Sequence, residues 1–392
     1  MRKSYLLICF TFLVSNLLKA QTTPTPPLTG QERDNKVVTS AVPFLTISPD
    51  ARAAGMGDVG AATLPDVNSQ HWNAAKYPFT EKNWAIGLSY TPWLNKLIND
   101  MSISYLSGYK KLSKLEVVAA SLRYFDLGDV HLTDNDGNPI GIHNPREFAF
   151  DASYSRKLSN NFSMAIAGRF IHSNLIGSVG ATNSQSKAGV SGAVDLSVYG
   201  QEELLFSGKN AKWAYGIALT NIGRKLTYQG NSQKDFIPMN LRLGTALTTE
   251  LDPFNKFTFA IDANKLLVPS PQSDPVKKAN AQDLTMMQGM FTSFGDAPGG
   301  FSEEINEIML AFGAEYWYND MFSGRLGYFY ENKEKGNRKY LTFGLGIRYQ
   351  TFGLDVAYLV PSKQNHPLAE TLRFTLSLNF DGNRIDNTTV TE

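Results

Sequence analysis

The stretch Thr371-Leu372-Arg373-Phe374-Thr375-Leu376-Ser377-Leu378-Asn379-Phe380 decides the fold class. Large apolar residues occupy every second position, and arginine, threonine, serine and asparagine stand between them. Successive side chains of a β-strand point to opposite faces, so the pattern predicts a strand with one face suited to lipid and the other to water. Its length also matches the roughly 9 to 11 residues that a tilted strand needs to cross a bilayer.

The same alternation recurs in earlier segments of similar length. Together with 371–380, these segments cover residues 84–91, 101–109, 115–125, 147–156, 162–172, 190–199, 211–222, 239–249, 256–264, 308–317, 322–330, 340–349 and 352–359. An even number near fourteen is typical of bacterial outer-membrane barrels. The sequence therefore predicts an all-β protein, a transmembrane antiparallel β-barrel of about 14 strands.

The links between these segments alternate in length. The long links follow odd-numbered strands, at 126–146, 173–189, 223–238 and 265–307, and the short links follow even-numbered strands, at 110–114, 157–161 and 319–321. An even-stranded barrel has long external loops and short periplasmic turns. We therefore expect both termini, and the end of the final strand at Phe380, on the periplasmic side of the outer membrane.

A soluble β-sandwich is the alternative, because its strands also alternate. Such a sheet would carry charged residues on its outer face. Here the positions opposite the apolar ones are mostly glycine, alanine and serine with isolated charges, which favours a polar lumen. The formal net charge of +1 gives no support for nucleic-acid binding.

The N-terminal region has the features of a secretory signal peptide. Met1-Arg2-Lys3 is basic, residues 5–18 are almost wholly apolar, and Ala20 offers a cleavage point. The only cysteine, Cys9, lies in this segment, so the exported chain would contain no thiol for disulfides or metal binding.

The remaining chain divides by composition. We predict a signal peptide over 1–20, a flexible leader over 21–40, an N-terminal plug over 41–80, the barrel over 81–380 and a polar tail over 381–392. In the plug, Ser48-Pro49-Asp50 precedes Ala51-Arg52-Ala53-Ala54, and Gly55-Met56-Gly57 follows. This order predicts a very short helix with an N-cap, a proline at the first helical position and a glycine stop. Because this small apolar segment cannot fold alone, we expect it to pack in or under the barrel.

Charged residues recur at positions that face the predicted lumen. The arginines are Arg123, Arg169, Arg242, Arg325, Arg348 and Arg373, and the acids are Asp151, Asp195, Asp262, Glu315 and Asp355. Charges away from bulk water need partners, so we expect these residues to pair and to tie the plug to the wall. A selectivity ring or a catalytic carboxylate pair is the alternative.

No motif indicates an enzyme or a cofactor. The histidines are dispersed and lack the short spacing of a metal site, at His71, His131, His143, His172 and His366. His172 and Ser173 are adjacent in a strand, so their side chains point to opposite faces and cannot form a nucleophile and base. The sequence contains no G-x-S-x-G nucleophile elbow.

The loop at 265–308 is unusually long, and it contains methionine and phenylalanine residues, which proteins normally bury. These are Met286, Met287, Met290, Phe291, Phe294 and Phe301. Apolar side chains in an external loop reduce solubility unless they are covered, so either the loop folds into the lumen or it docks on another protein. We take Met287, Met290, Phe291, Phe294 and Phe301 as candidate partner-binding residues.

Three separated runs resemble a known family. They are Phe44 to Asp58, with the sequence FLTISPDARAAGMGD, His71 to Tyr77, with HWNAAKY, and Gly289 to Glu304, with GMFTSFGDAPGGFSEE. They resemble the PorV family of outer-membrane proteins of the type IX secretion system, and the likeness extends over essentially the whole exported chain.

This resemblance implies a fourteen-stranded barrel similar to the fatty-acid transporter FadL, with no chemistry of its own. It implies partnership with the large type IX translocon barrel, with the C-terminal domains of secreted cargo and with a sortase-containing attachment complex. Two alternatives stay open. The first is FadL-like uptake of hydrophobic compounds, which predicts an apolar tunnel, and the second is a lipopolysaccharide O-deacylase, which requires a nucleophile and a base.

Overall fold

The computed structural model describes residues 36–93, 100–134, 136–175, 187–228, 234–362 and 371–381. The predicted signal peptide, most of the predicted leader, His366 and all but the first residue of the predicted tail lie outside these ranges.

Fourteen antiparallel strands close into a barrel, which confirms the predicted fold class. The barrel strands are β1 (Trp84–Pro92), β2 (Ser102–Lys111), β3 (Glu116–Asp126), β6 (Arg146–Lys157), β7 (Phe162–Asn174), β8 (Gly189–Phe206), β9 (Lys209–Gly223), β10 (Asn240–Asp252), β11 (Asn255–Leu266), β12 (Met309–Tyr318), β13 (Phe322–Tyr330), β14 (Lys339–Tyr349), β15 (Phe352–Pro361) and β16 (Thr371–Phe380). Each corresponds to one of the fourteen predicted segments. The link between β3 and β6 contains a separate hairpin of β4 (Val130–Thr133) and β5 (Pro139–His143).

The final strand closes the barrel by pairing with β1. Leu376 lies opposite Leu88, Trp84 lies opposite Phe380, and the rings of Trp84 and Phe380 stack with their centroids 3.8 Å apart. Leu376 and Leu88 are exposed on the outer face, whereas Thr375 is fully buried on the inner face. This division matches the alternation of apolar and polar residues along the strand, since side chains alternate across a sheet.

Connections of different length lie at the two ends of the barrel. Turns such as 207–208, 319–321 and 350–351 form the end that we call the turn end. The longer links, including 267–308, form the opposite end, which we call the loop end. The predicted alternation of short and long links is therefore present.

Within the described ranges, five short α-helices lie outside the barrel strands. They are α1 (Ala51–Ala54), α2 (Ser69–Trp72), α3 (Pro275–Asp283), α4 (Met286–Thr292) and α5 (Phe301–Asn306), and 3₁₀ turns occupy Pro43–Thr46 and Ala74–Phe79. In the described part of the chain, no helix is both long enough and apolar enough to cross a membrane.

The predicted helix α1 is present, but its start differs from the prediction. Asp50 is the N-cap, with its carboxylate accepting a hydrogen bond from the backbone N–H of Ala53 at 3.0 Å. Ser48 and Pro49 precede the helix. The Asp50 carboxylate also accepts a hydrogen bond from the Trp72 indole at 2.6 Å, which holds it in position to cap the helix. Asp50 therefore caps the helix in place of the earlier residue that the sequence predicted.

Residues 41–80, here called the lumen segment, lie against the inner wall of the barrel. The backbone N–H of Ala51 donates to Thr375 Oγ1 at 2.9 Å, and the N–H of Gly57 donates to Thr342 Oγ1 at 2.8 Å. On the other side, the Asn73 amide donates to the carbonyl of Val198 at 2.9 Å. Side chains and carbonyls of the wall thus satisfy the irregular backbone of this segment, as buried polar groups require.

Glycines bring the lumen segment close to the wall. Gly57 has φ +72°, and its backbone packs against the inner face of β13 at Gly327. A Cβ atom at Gly327 would overlap the backbone of Gly57. Only glycine permits both the left-handed backbone and this close approach.

We predict that Gly327→Val destabilises the folded barrel by about 1–3 kcal/mol or more, because the added side chain forces the lumen segment off the wall. The measurement is urea unfolding in detergent micelles, followed by tryptophan fluorescence. Gly324→Val is the matched control, because Gly324 is in the same strand and nothing lies within 4 Å of a Cβ atom there. Equal losses of stability in the two variants would contradict the role of the close approach.

Candidate functional site

The longest connection at the loop end is an ordered structure with its own helix caps. Asp274 caps α3 by accepting hydrogen bonds from the N–H groups of Val276 and Lys277 at 2.8 and 3.1 Å, and Pro275 follows at the first helical position. Thr285 and Gln288 form a capping box at the start of α4. These caps explain how short helices form in a connection of 42 residues, 267–308.

A buried ionic cluster anchors the connection to the barrel rim. Lys265, near the end of β11, donates to Glu304 at 3.0 Å and to Glu307 at 2.6 Å. Lys335, in the next loop-end connection, donates to Glu303 at 2.7 Å and to Glu307 at 2.9 Å. The three carboxylates are almost fully buried. The cluster therefore fixes helix α5 against two neighbouring parts of the rim.

These ionic groups hold one another in the charged state. Burial alone would raise the pKa of Glu307, but hydrogen bonds from Lys265 and Lys335 outweigh it and hold this pKa below its ordinary value. Burial alone would lower the pKa of Lys335, but its bonds to Glu303 and Glu307 raise it above its ordinary value. Glu307 and Lys335 are therefore both ionised at neutral pH.

Helix α4 is apolar on two faces. Met290 is buried in the same hydrophobic cluster as Leu45 and Phe236, and Gly289 lies against the Phe236 ring. Met287, Phe291 and Phe294 follow at i, i+4 and i+7, so they share the opposite, exposed side of the helix and its continuation. The sequence left open whether the loop packs inward or presents its apolar residues outward, and this helix does both.

The candidate partner-binding residues separate accordingly. Met290 is only 7% exposed and belongs to the packing beneath the loop. The other four are 46% to 80% exposed, and we call them the aromatic face: Met287, Phe291, Phe294 and Phe301. Large exposed apolar side chains on an anchored loop are typical of a surface that another protein covers.

The lumen contains most of the predicted ion pairs. Arg169 pairs with Asp151 and with Asp195, the latter at 2.9 Å. Further pairs join Arg325 to Glu315 and Asp355 at 2.6 and 2.8 Å, Arg348 to Asp355 at 2.7 Å, and Arg373 to Asp58 at 3.5 Å. Both sides of the fully buried Glu315 carboxylate are used, because Arg52 of α1 also donates to it at 2.8 and 3.0 Å.

Three predicted lumen residues have other partners. Arg123 donates to the carbonyls of Phe44, Leu45 and Ile47. Asp262 accepts hydrogen bonds from the backbone N–H groups of Gly60 and Ala61 at 2.8 and 2.9 Å. Arg242 donates to Asn264 at 2.7 Å, and among the described residues no carboxylate lies within 4.0 Å of its guanidinium. For Arg123 and Asp262, backbone groups of the lumen segment take the place of a charged partner.

Arg52 forms ion pairs in the lumen that the sequence did not predict. It stands within the small apolar run Ala51-Arg52-Ala53-Ala54 and pairs with Glu315 and Asp66. A charge inside a segment predicted to be buried requires a partner, and that signal was present in the sequence.

His172 and Ser173, the adjacent residues tested above as a nucleophile and base, lie on opposite faces of β7. His172 stacks on the outward-facing Phe148, with ring centroids 4.9 Å apart. Ser173 is fully buried and donates to Glu147 at 2.5 Å, next to the hydroxyl of Tyr228 at 2.8 Å. Among the described residues, no group of three or more His, Cys, Asp or Glu side chains could hold a metal ion.

We predict that Glu315→Gln destabilises the protein by about 3–5 kcal/mol, because Arg52 and Arg325 would keep their buried charges without a carboxylate between them. Urea unfolding in micelles measures the change. Asp320→Asn is the contrasting variant, since Asp320 pairs with Lys256 at 2.9 Å in an exposed turn. The loss of stability in Asp320→Asn should stay below about 1 kcal/mol. A similar small loss for Glu315→Gln would show that the network does not hold the lumen segment.

Comparison with known proteins gives both structural and family matches. The toluene transporter TodX of Pseudomonas putida shares 9% identity, with a TM-score of 0.49, over 84% of this chain and 96% of that chain. The toluene transporter TbuX of Ralstonia pickettii shares 11% identity, with a TM-score of 0.43, over 84% and 98%. A FadL homologue of Pseudomonas aeruginosa shares 10%, with a TM-score of 0.42, over 89% and 100%.

No curated protein matches the sequence. The family model described as type IX secretion system protein PorV matches residues 30–273, which is more than half of the chain. Together with the closed barrel, this match identifies an outer-membrane protein. The chain belongs to the PorV family of the type IX secretion system.

Proposed function

We propose that this protein is a non-enzymatic component of the type IX secretion system. In this proposal it binds the large translocon barrel and the C-terminal domains of secreted cargo, and it passes cargo to the sortase-containing attachment complex. The aromatic face at the loop end is the observation that carries the proposal. The partners themselves follow from the family resemblance.

The geometry of the loop supports a docking role. Phe301 is 80% exposed and Phe291 is 65% exposed, although the loop beneath them is anchored by Lys265, Lys335 and the buried glutamates. A rigid apolar surface loses little conformational entropy on binding, and buried aromatic side chains supply much of the affinity of protein interfaces. Cargo or translocon would cover these side chains.

The interior of the barrel favours this role over uptake of hydrophobic compounds. The inner wall carries Arg169, Arg325 and their carboxylate partners, and the lumen segment bonds to strands on several sides. An apolar molecule crossing this interior would have to leave its own favourable surroundings for charged ones. The deacylase alternative would need a serine that substrate can reach, and Ser173, which donates to Glu147 and contacts Tyr228, is fully buried.

We further propose that the loop end faces the cell exterior and that an N-terminal signal peptide exports the chain. Both termini would then be periplasmic. Short periplasmic turns and long external loops are the rule in outer-membrane barrels. The aromatic face would therefore meet secreted proteins as they reach the outer surface.

We predict that the double variant Phe291→Ser, Phe301→Ser loses translocon and cargo. Removing two anchor side chains should lower the recovery of both partners in affinity purification from outer membranes by about tenfold or more. The control is Leu205→Ser, which changes an apolar side chain of comparable exposure at the turn end. Unchanged recovery with the double variant, or recovery of the wild-type protein without any translocon, cargo or sortase, would rule out the proposed docking surface.

Cysteine labelling tests the orientation independently. Because Cys9 is the only native cysteine, Phe294→Cys at the loop end and Ser207→Cys at the turn end give single-site probes once the signal peptide is removed. We predict that a membrane-impermeant maleimide labels Phe294→Cys in intact cells and labels Ser207→Cys only after lysis. The reverse labelling pattern would show that the turn end, and not the loop end, faces the cell exterior.

A further inference from the structure

A narrow cavity lies inside the barrel, between the lumen segment and the strands near the loop end. Its volume is about 70 Å³, and Arg242, Trp72 and His71 are among the residues that line it. An enclosed cavity of roughly 150 Å³ accepts a benzene molecule, so this space suits a ligand about half that size.

Of the three arginines that line the cavity, Arg242 alone has no carboxylate within 4.0 Å among the described residues. Arg169 and Arg338 also line it, but Arg169 pairs with Asp195 at 2.9 Å and Arg338 pairs with Glu331 at 2.8 Å. The one lining carboxylate, Asp58, lies 3.5 Å from Arg373 and accepts a hydrogen bond from Tyr340 at 2.6 Å.

Arg242 is different. It donates to the neutral side chain of Asn264, and its guanidinium lies 4.5 Å from the centre of the Trp72 ring. Asp262, Asp58 and Asp50 act on the Arg242 charge without contacting it, so its planar donor group is fixed by stacking and has no direct carboxylate partner.

Four buried polar atoms lining the same cavity lack a hydrogen-bond partner among the described residues. One is Asp58 Oδ1, which lies 3.5 Å from Arg373. The others are Ser48 Oγ, His71 Nε2 and Asn240 Oδ1, and each of these three residues is less than one-tenth exposed. Buried polar groups are normally satisfied, so several at one cavity point to a polar ligand.

The protonation of His71 follows from its other nitrogen. His71 Nδ1 lies 2.6 Å from the Arg123 guanidinium, which can only donate. Nδ1 therefore accepts, and Nε2 carries the hydrogen of the neutral ring. His71 and Ser48 thus both offer donors, and a half-turn of the Asn240 amide would present its NH₂ group as a third.

We propose that this cavity binds a small monocarboxylate of about the size of acetate. The Arg242 guanidinium donates two parallel hydrogen bonds to the carboxylate, and Ser48 and His71 donate to its oxygens. A carboxylate matches the planar fork of arginine better than a spherical anion does. This inference does not depend on the proposed role in secretion.

The test is ¹⁹F NMR of trifluoroacetate with the full-length protein in detergent micelles. We expect saturable line broadening, which acetate should reverse at concentrations at least tenfold lower than chloride. Arg242→Gln should weaken binding by about tenfold or more, and Arg242→Lys should give an intermediate loss, because it keeps the charge without the fork. Arg348→Gln is the control, since Arg348 pairs with Asp355 at 2.7 Å and does not line the cavity.

Ser48→Ala provides a milder variant in case Arg242→Gln does not fold, and it should weaken binding by roughly threefold to tenfold. Absence of broadening in the wild-type protein would overturn the proposal. So would equal competition by chloride and acetate, or unchanged binding in the folded Arg242 or Ser48 variants.

Discussion

The structure depends on one buried carboxylate, that of Glu315. It lies on the inner wall of the barrel, fully buried, with Arg52 of the lumen segment on one side and Arg325 of the neighbouring strand on the other. A charge in such surroundings is tolerated only with close partners of opposite sign. The wall and the lumen segment therefore stabilise each other, because neither could bury its charges alone. The glycine contact between Gly57 and Gly327 brings the two backbones near enough for this pairing.

The same constraint operates at the rim. Glu307 accepts from Lys265 of β11 and from Lys335 of a neighbouring connection, so one carboxylate joins the long loop to two fixed points. Ordering a loop of this length costs much conformational entropy, which these contacts help to offset. With its ends fixed, the inner side of α4 packs Met290 beneath the loop and the outer side presents Phe291. Charge pairing inside the protein thus determines which apolar side chains stay outside.

The sequence predicted what depends on local periodicity and could not predict what depends on distant neighbours. Alternation over 371–380 and its equivalents located all fourteen barrel strands, because period-two patterning is a property of each strand alone. The face on which Arg169 and Arg325 lie followed from the same rule. Their partners did not follow, since cross-strand register sets them. Arg242 could have met Asp262, but the Oδ2 atom of that carboxylate accepts from the backbone of Gly60 and Ala61, and Arg242 donates to Asn264. The N-cap at Asp50 likewise depends on Trp72, which lies 22 residues away along the chain.

The filled interior of the barrel agrees with the proposed role as a binding component. A wide barrel with an open polar interior would conduct small solutes, whereas here the lumen segment fills part of that interior and is held by ion pairs to several strands. The loop end, by contrast, presents an ordered surface with exposed phenylalanines, which is the surface that we propose partners recognise. A partner binding there meets a surface whose shape is already fixed, so little of the binding free energy is spent on ordering it. Arg242 lies beneath that same end, where it donates to Asn264 and stacks on Trp72 without a direct carboxylate partner.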